Sequence, residues 1–298
     1  MCKSNLRAML VAEIKCKLYF MLAVKLLSFG SIAALMGGPA ASQIVISEPV
    51  SNPVILIDDA DVTIAPTGAV RVIGLDPDAV AILGDYSSTF SNEGFISAES
   101  SSNFFGLDTA NGVLILGDVL DGGKIVNDGS VSATADSADA TVLARANAYQ
   151  VAGDLSGSLS NSGEISASAN SGFIARAFGV FVGGKTQGDL TNEGIVSATA
   201  SAPNEASASG YFLERGVSGD LSNAGLVSAR ATGGVEAKAV GVEVGGEFSG
   251  NFSTSGTVLA SAVSSGNEPS NEANASGVLI GDMQGEFSNT GVITASAS

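Results

Sequence analysis

No histidine and no tryptophan occur in this chain, and its two cysteines, Cys2 and Cys16, both stand at the extreme N-terminus. Zinc sites of the Cys/His type and imidazole-based nucleophile–base pairs are thereby excluded, and the cysteines form no C-x-x-C pair. Charge is scarce too: Lys, Arg, Asp and Glu make up 14% of 298 residues, and 13 basic residues meet 30 acidic ones for a formal net charge of −17. That balance disfavours nucleic acid and anionic membrane as partners, since both are held by clustered cations. No G-x-S-x-G nucleophile elbow is present. No Lys-Ser or Lys-Thr follows the glycine pairs Gly183-Gly184 and Gly245-Gly246 as a phosphate loop requires.

What the chain has in quantity is Ala, Ser, Gly and Val, with 38 glycines and a mean hydropathy of +0.34. This mixture lacks the bulk of a conventional globular core but suits thin, closely stacked β-layers. Regularly spaced Val, Ile and Leu argue against disorder.

The N-terminus reads as a targeting segment. An apolar run, Leu26 to Met36, follows Lys25 and leads into GGPAASQ, the layout of a secretory signal peptide too short to span a bilayer. Cleavage after Ala40 and cleavage after Ser42 both fit the small-residue rule, and a start at Met21 gives a signal of ordinary length. The predicted organisation is therefore residues 1–42 as extension plus signal and residues 43–298 as one repeat domain without a C-terminal cap or translocator barrel. Five basic residues and one acidic precede residue 43, so the mature chain carries 8 basic and 29 acidic residues, a net of −21.

The repeat is plain in LSNSGEISASA, Leu159 to Ala169. Its glycine recurs at Gly94, Gly129, Gly163, Gly194, Gly225, Gly256 and Gly291, with a weaker version at Gly68, at separations of 26, 35, 34, 31, 31, 31 and 35. Such an array is not a globular domain. Asn92, Asn127, Asn161, Asn192, Asn223 and Asn289 stand two residues before it, with Thr254 and Pro66 as exceptions. Asn and Gly tolerate left-handed backbone and tight turns, so N-x-G marks a corner. The x-[IV]-[STL]-A-x-[AS] run after it alternates as a strand, with Ile165, Ala167 and Ala169 on one side.

A second phrase recurs as AFGVFVGG, AVGVEVGG and ASGVLIGD, from Ala177, Ala239 and Ala275. Glu243 is expected in solvent, which turns Val242 and Val244 inward, whereas Glu236 and Lys238 turn Ala237 and Ala239 inward. The two phases differ by one residue, and a bend or bulge at Gly241 reconciles them, with Gly179, Gly210 and Gly277 in the same place. Units of three or four short strands cannot bury a face alone and must stack. The expected fold is all-β, a parallel β-helix of about seven to eight coils whose rungs lie about 4.8 Å apart. Stacked Asn side chains would bond along the corner ladder. ADSADATV after Thr134, SAPNEAS after Ala200 and SSGNEPSNEA after Val263 are expected to leave the rod as polar loops.

The N-x-G corners, the alternating I-S-A-S-A strands and the following G-V-x-V-G-G resemble, over roughly Val54 to Ser298, the passenger region of bacterial autotransporters and filamentous-haemagglutinin-type surface proteins. The resemblance implies a right-handed parallel β-helix, export by a Gram-negative cell and a role at the cell surface, often adhesion. It implies as partners a host, neighbouring-cell or matrix glycan or protein, together with an outer-membrane translocator. The sequence stops at ITASAS, in the middle of a turn, so the expectation is either a piece of a longer protein or end-to-end self-association through bare strand edges.

No residue set qualifies as catalytic, cofactor-binding or metal-binding. The alternative to a non-enzymatic passenger is a polysaccharide-active β-helix with acids gathered on one face, drawn from Asp58, Asp59, Asp61, Asp76, Asp78, Asp118 and Asp121. The eight basic residues read as scattered singly, without a positive cleft. Asp85, Asp118, Asp154 and Asp282 follow the second phrase, and stacked at one corner they would suit calcium. The tandem G-G-x-G-x-D-x-U-x motif is missing, and Asp also simply suits a turn.

Overall fold

The computed structural model describes residues 33–35, 43–56, 59–101, 107–138, 142–266 and 271–298. The chain divides into two units, Met1–Ala33 and Ala34–Ser298. Nearly all of the predicted extension and signal peptide, with both cleavage positions, lies outside the described residues, as do Asp58 and parts of the loops after Thr134 and Val263.

In Ala34–Ser298 the architecture is the predicted one: a parallel β-solenoid, with no helix among the described residues. Each coil supplies one strand to each of three sheets. The first sheet holds nine strands, from Gln43–Ile46 through Ser158–Asn161 to Phe287–Asn289. The second holds nine, from Pro49–Val50 through Glu164–Ser171 to Val292–Ala297. The third runs through Val54–Leu56, Asp78–Ile82, Leu107–Ile115, Leu143–Val151, Ile174–Val182, Glu205–Leu213, Glu236–Phe248 and Glu272–Met283. Every strand pairs in parallel with the equivalent strand one coil on, for example Ile165 with Val196 and Ala167 with Ala198.

The alternation in the sequence sets which side chains fill the interior. The first sheet points in a column of bulky residues, among them Val62, Phe90, Ile125, Leu159, Leu190 and Phe252, all buried. The second and third sheets face one another with Ala on most rungs. Small side chains let these two sheets pack closely, while the first sheet supplies the bulky side chains of the interior. Each buried Val, Ile or Leu contributes about 1.5–3 kcal/mol, so stability grows with every stacked coil.

The corner glycines have a different cause from the one the sequence suggests. None of Gly94, Gly129, Gly163, Gly194, Gly225, Gly256 and Gly291 has a positive φ. A Cβ on Gly163 would instead meet the carbonyl oxygen of Gly129 at 2.0 Å, and one on Gly194 would meet that of Gly163 at 2.0 Å. Glycine is needed because the corners of successive coils press backbone on backbone, not because the chain turns left-handed.

Three further differences from expectation concern loops and ends. A short coil, Gln43 to Leu56, precedes the repeat that begins near Gly68, and its 18-residue advance from Ile44 to Val62 leaves no room for the phrase. SAPNEAS is no loop: strand continues through Ala202 and resumes at Glu205, leaving a two-residue corner. Strands do break within the other two expected loop segments, between Ser137 and Leu143 and between Ser264 and Glu272, and a further break not expected from the sequence lies between Ser101 and Leu107.

Candidate ligand-binding recess on the bent sheet

The third sheet changes phase within each strand, as AVGVEVGG predicts. In Glu236–Phe248, Ala237, Ala239, Val242 and Val244 all belong to the interior cluster. Gly179, Gly210, Gly241 and Gly277 mark the slip, and each points its missing side chain across the core. A Cβ on Gly179 would lie 2.6 Å from Val196 Cγ1, and one on Gly241 would lie 2.3 Å from Val258 Cγ1. Glycine at these four rungs lets the third sheet fold in close against the second, and the only side chains in the same column of the earlier coils are the alanines Ala79 and Ala148, both buried.

Bending the strand inward hollows its outer face. Ile55, Ala81, Leu114, Phe178 and Val240 are buried yet stand outside the interior cluster. They and their neighbours form two outward columns beside the bend. One runs Asn111, Asn147, Phe178, Ser209, Val240, and the other runs Leu114, Gln150, Phe181, Phe212, Glu243, Leu279. A third outward column borders the recess: Thr109, Arg145, Arg176, Ser207, Lys238, Asn274.

That third column corrects the reading of the basic residues as scattered. Arg145, Arg176 and Lys238 are far apart in sequence, but the register places them on one line within four coils. Arg176 is paired with Glu205 at 3.0 Å, and Lys238 with Glu243 at 2.6 Å. Glu243, expected in solvent, is 9% exposed and also accepts from Ser209 Oγ at 3.0 Å. The bend draws the outward side chain into the recess, and Lys238 with Ser209 makes that burial tolerable.

Arg145 differs from the other two. No described carboxylate lies within ion-pair distance of it, and its guanidinium sits 4.8 Å from the Phe181 ring centroid and 5.3 Å from that of Phe178. Its Nε donates to Asn147 Oδ1 at 3.3 Å, and Asn147 in turn donates to Asn111 Oδ1 at 2.7 Å and Gln150 Oε1 at 2.9 Å. Burial and the neighbouring charge of Arg176 push its pKa down, with the charge of Glu214 opposing them. Phe178, Phe181 and Phe212 pack with centroids 5.3–5.6 Å apart, Phe181 and Phe212 stacked.

Of the acids singled out in the sequence, Asp78 heads the Asn111 column one rung before it; the others fall elsewhere, and the set does not share one face. Asp85, Asp118 and Asp154 do stack at the corner leading from the third sheet to the first. Asp85 Oδ1 accepts the N–H of Asp118 at 3.1 Å, Asp118 Oδ1 that of Asp154 at 2.8 Å, and Asp154 Oδ1 that of Lys185 at 2.8 Å. Asp282 occupies the same column beyond Gly216 and Glu247, away from the other three. These carboxylates satisfy corner backbone, and among the described residues no group of three His, Cys, Asp or Glu could hold a metal ion.

Asp59 caps the corner one coil earlier. Burial acts to raise its pKa, but hydrogen bonds from Ser87 and Ser88 prevail and hold it below the usual value. Asp61 accepts from the Thr89 N–H at 2.8 Å. Asp76, with a φ of 45°, and Asp78 bond to Thr109 and Asn111 at the opposite end of the third sheet, and Asp121 is exposed. Asp108, unremarked in the sequence, is 1% exposed at a column otherwise occupied by Ala, where it accepts from Ser100.

No family model, no curated protein and no solved structure matches this chain. The class its fold defines is the parallel β-solenoid.

Proposed function

We propose that this is a non-enzymatic β-helical passenger, exported to the outside of a Gram-negative cell, that acts as an adhesive scaffold through the outer face of its bent sheet. One observation carries this reading. A mature chain with a net charge of −21 concentrates three of its eight cations and three phenylalanines on adjoining rungs of one outer face. Rung stacking itself does not need them, because the inner columns already supply the core. Loss of apolar or cationic character there would leave the coil intact, which is the property of a recognition surface. The apolar run from Leu26 to Met36 and the resemblance of the N-x-G and G-V-x-V-G-G phrases to surface passengers support the location.

The test is expression of the full chain in a Gram-negative host, followed by fractionation, N-terminal sequencing of the product and protease treatment of whole cells. Processing near residues 40–42 and recovery outside the cytoplasm are expected. Unprocessed protein retained in the cytoplasm rejects the reading.

A further inference from the structure

We propose that Arg145, its guanidinium set over the rings of Phe178 and Phe181, is the carboxylate-binding residue of a site for acidic polysaccharide on the bent sheet. The proposal names a ligand class for the recess and rests on the adhesive reading above.

The argument begins with an imbalance. Buried cations in proteins are paired, and Arg176 and Lys238 on the same column follow the rule. Arg145 is half-buried beside Arg176 with no described carboxylate in reach. Among the described residues its only hydrogen bond uses Nε, to Asn147. The two terminal nitrogens are left as an unoccupied fork, the geometry that takes a carboxylate by two parallel hydrogen bonds. The fork is also fixed in advance. Two rings pack against the guanidinium, and Asn147 is itself held by Asn111 and Gln150, so little freedom is lost when an anion arrives.

The neighbours indicate what carries the carboxylate. Phe181 and Phe212 offer an apolar strip one and two rungs further on, suited to the C–H face of a sugar ring. Gln150, on the rung of Arg145, engages Asn147 through its oxygen and keeps its amide N–H groups for a hydroxyl. A sugar unit in an extended chain advances by nearly the rung spacing of about 4.8 Å, so successive sugars meet successive rungs. An acidic peptide fits less well. Peptides dock on sheets by pairing with a free edge, whereas these strands are paired on both sides by neighbouring coils.

The experiment titrates the purified full-length chain with a linear oligouronate, its fully methyl-esterified counterpart and polyglutamate. The oligouronate is expected to bind, with the ester and polyglutamate weaker by about tenfold or more. Arg145→Gln should weaken oligouronate binding about ten- to hundredfold. Arg145→Lys, which keeps charge but loses the fork, should fail to restore it. Arg215→Gln, at an exposed corner, should change nothing. Thermal unfolding of each variant confirms that the coil is retained, and Phe212→Leu provides a second variant that keeps bulk while removing the ring. Three results overturn the proposal: no oligouronate binding, equal binding by Arg145→Gln, or equal binding of the ester or of polyglutamate. None depends on export, so failure here leaves the fractionation result standing, and failure there leaves this one.

Discussion

The side-chain amide of Asn127 donates to Oδ1 of Asn161 at 2.7 Å, across 34 residues of sequence and one coil of structure. The same bond recurs from Asn92 to Asn127, from Asn161 to Asn192 and from Asn192 to Asn223 at 2.7–2.8 Å, and ends on Thr254 Oγ1 at 3.1 Å. All donors run toward the C-terminus, so the amide dipoles align and each bond polarises the next. The second proton of each amide goes to a backbone carbonyl one coil on, such as Ile195 O for Asn161 at 3.1 Å. The ladder thus ties the axial stacking of coils to the corner backbone.

Breaking this ladder in its middle should be costly. Asn161→Ala strands the amide of Asn127 and the Oδ1 of Asn192, both fully buried, at a cost of about 2–4 kcal/mol. Asn289→Ala, at an exposed rung, should stay within about 0.5 kcal/mol. Urea unfolding of the two variants beside the parent chain measures the difference.

The bend predicts a coupled pair. Gly179→Ala places a Cβ 2.6 Å from Val196 Cγ1 and 2.7 Å from Gly210 O, for a loss of about 1–3 kcal/mol. Val196→Ala removes the first of these clashes, so the double variant should lose less than the two single losses combined, with a coupling of at least about 0.5 kcal/mol. Gly281→Ala meets nothing within 4 Å and should be near neutral.

Alkaline conditions should destabilise the coil through its interior phenols. Tyr149 and Tyr211 are buried with hydroxyls that have no described partner, and burial alone pushes both pKa values well above the ordinary phenol. The unfolded chain therefore releases these protons first. Stability is intact below about pH 10 and falls as pH rises beyond it. Tyr211→Phe should reduce that slope and, by removing an unpaired hydroxyl, be neutral or stabilising by about 1 kcal/mol at pH 7. Urea unfolding from neutral to alkaline pH tests both parts.

The aspartate corner should respond as a backbone acceptor. Asp118→Asn keeps an oxygen for the Asp154 N–H and should cost under about 0.5 kcal/mol, whereas Asp118→Ala should cost about 1 kcal/mol. Equal losses in the two variants, or a large rise in the parent's unfolding midpoint on adding calcium, would assign the carboxylate's charge a role of its own.

The local pattern was legible in the sequence wherever one unit sufficed to reveal it. N-x-G placed the corners, and the clash of phase between Lys238 and Glu243 located the bend at Gly241. What stayed hidden depends on register between units. Arg145 and Arg176 are 31 residues apart, and their alignment follows from where each coil stores its insertion, which composition does not reveal. Glu243 reads as a solvent residue because alternation gives the side of the sheet but not the curvature of that side. The glycines at the corners were recognised for the right position and the wrong reason: the pressure on them comes from the coil below. The first coil carries no phrase at all, and only its pairing of Ile44 with Val62 reveals it.

The central claim is that equivalent residues of neighbouring units lie side by side, and cysteine pairs test it most directly. In a chain whose Cys2 and Cys16 are replaced by Ser, Ser166→Cys with Ser197→Cys places two thiols on paired positions, at the Cα separation of about 4.8 Å that a disulfide accepts. Ser166→Cys with Thr199→Cys offsets them by two residues, beyond the reach of about 7 Å. Mild oxidation should close the first pair rapidly and leave the second as free thiols. Equal crosslinking of both pairs, or of neither, would contradict the stacked register on which the coil, the asparagine ladder and the recess are built.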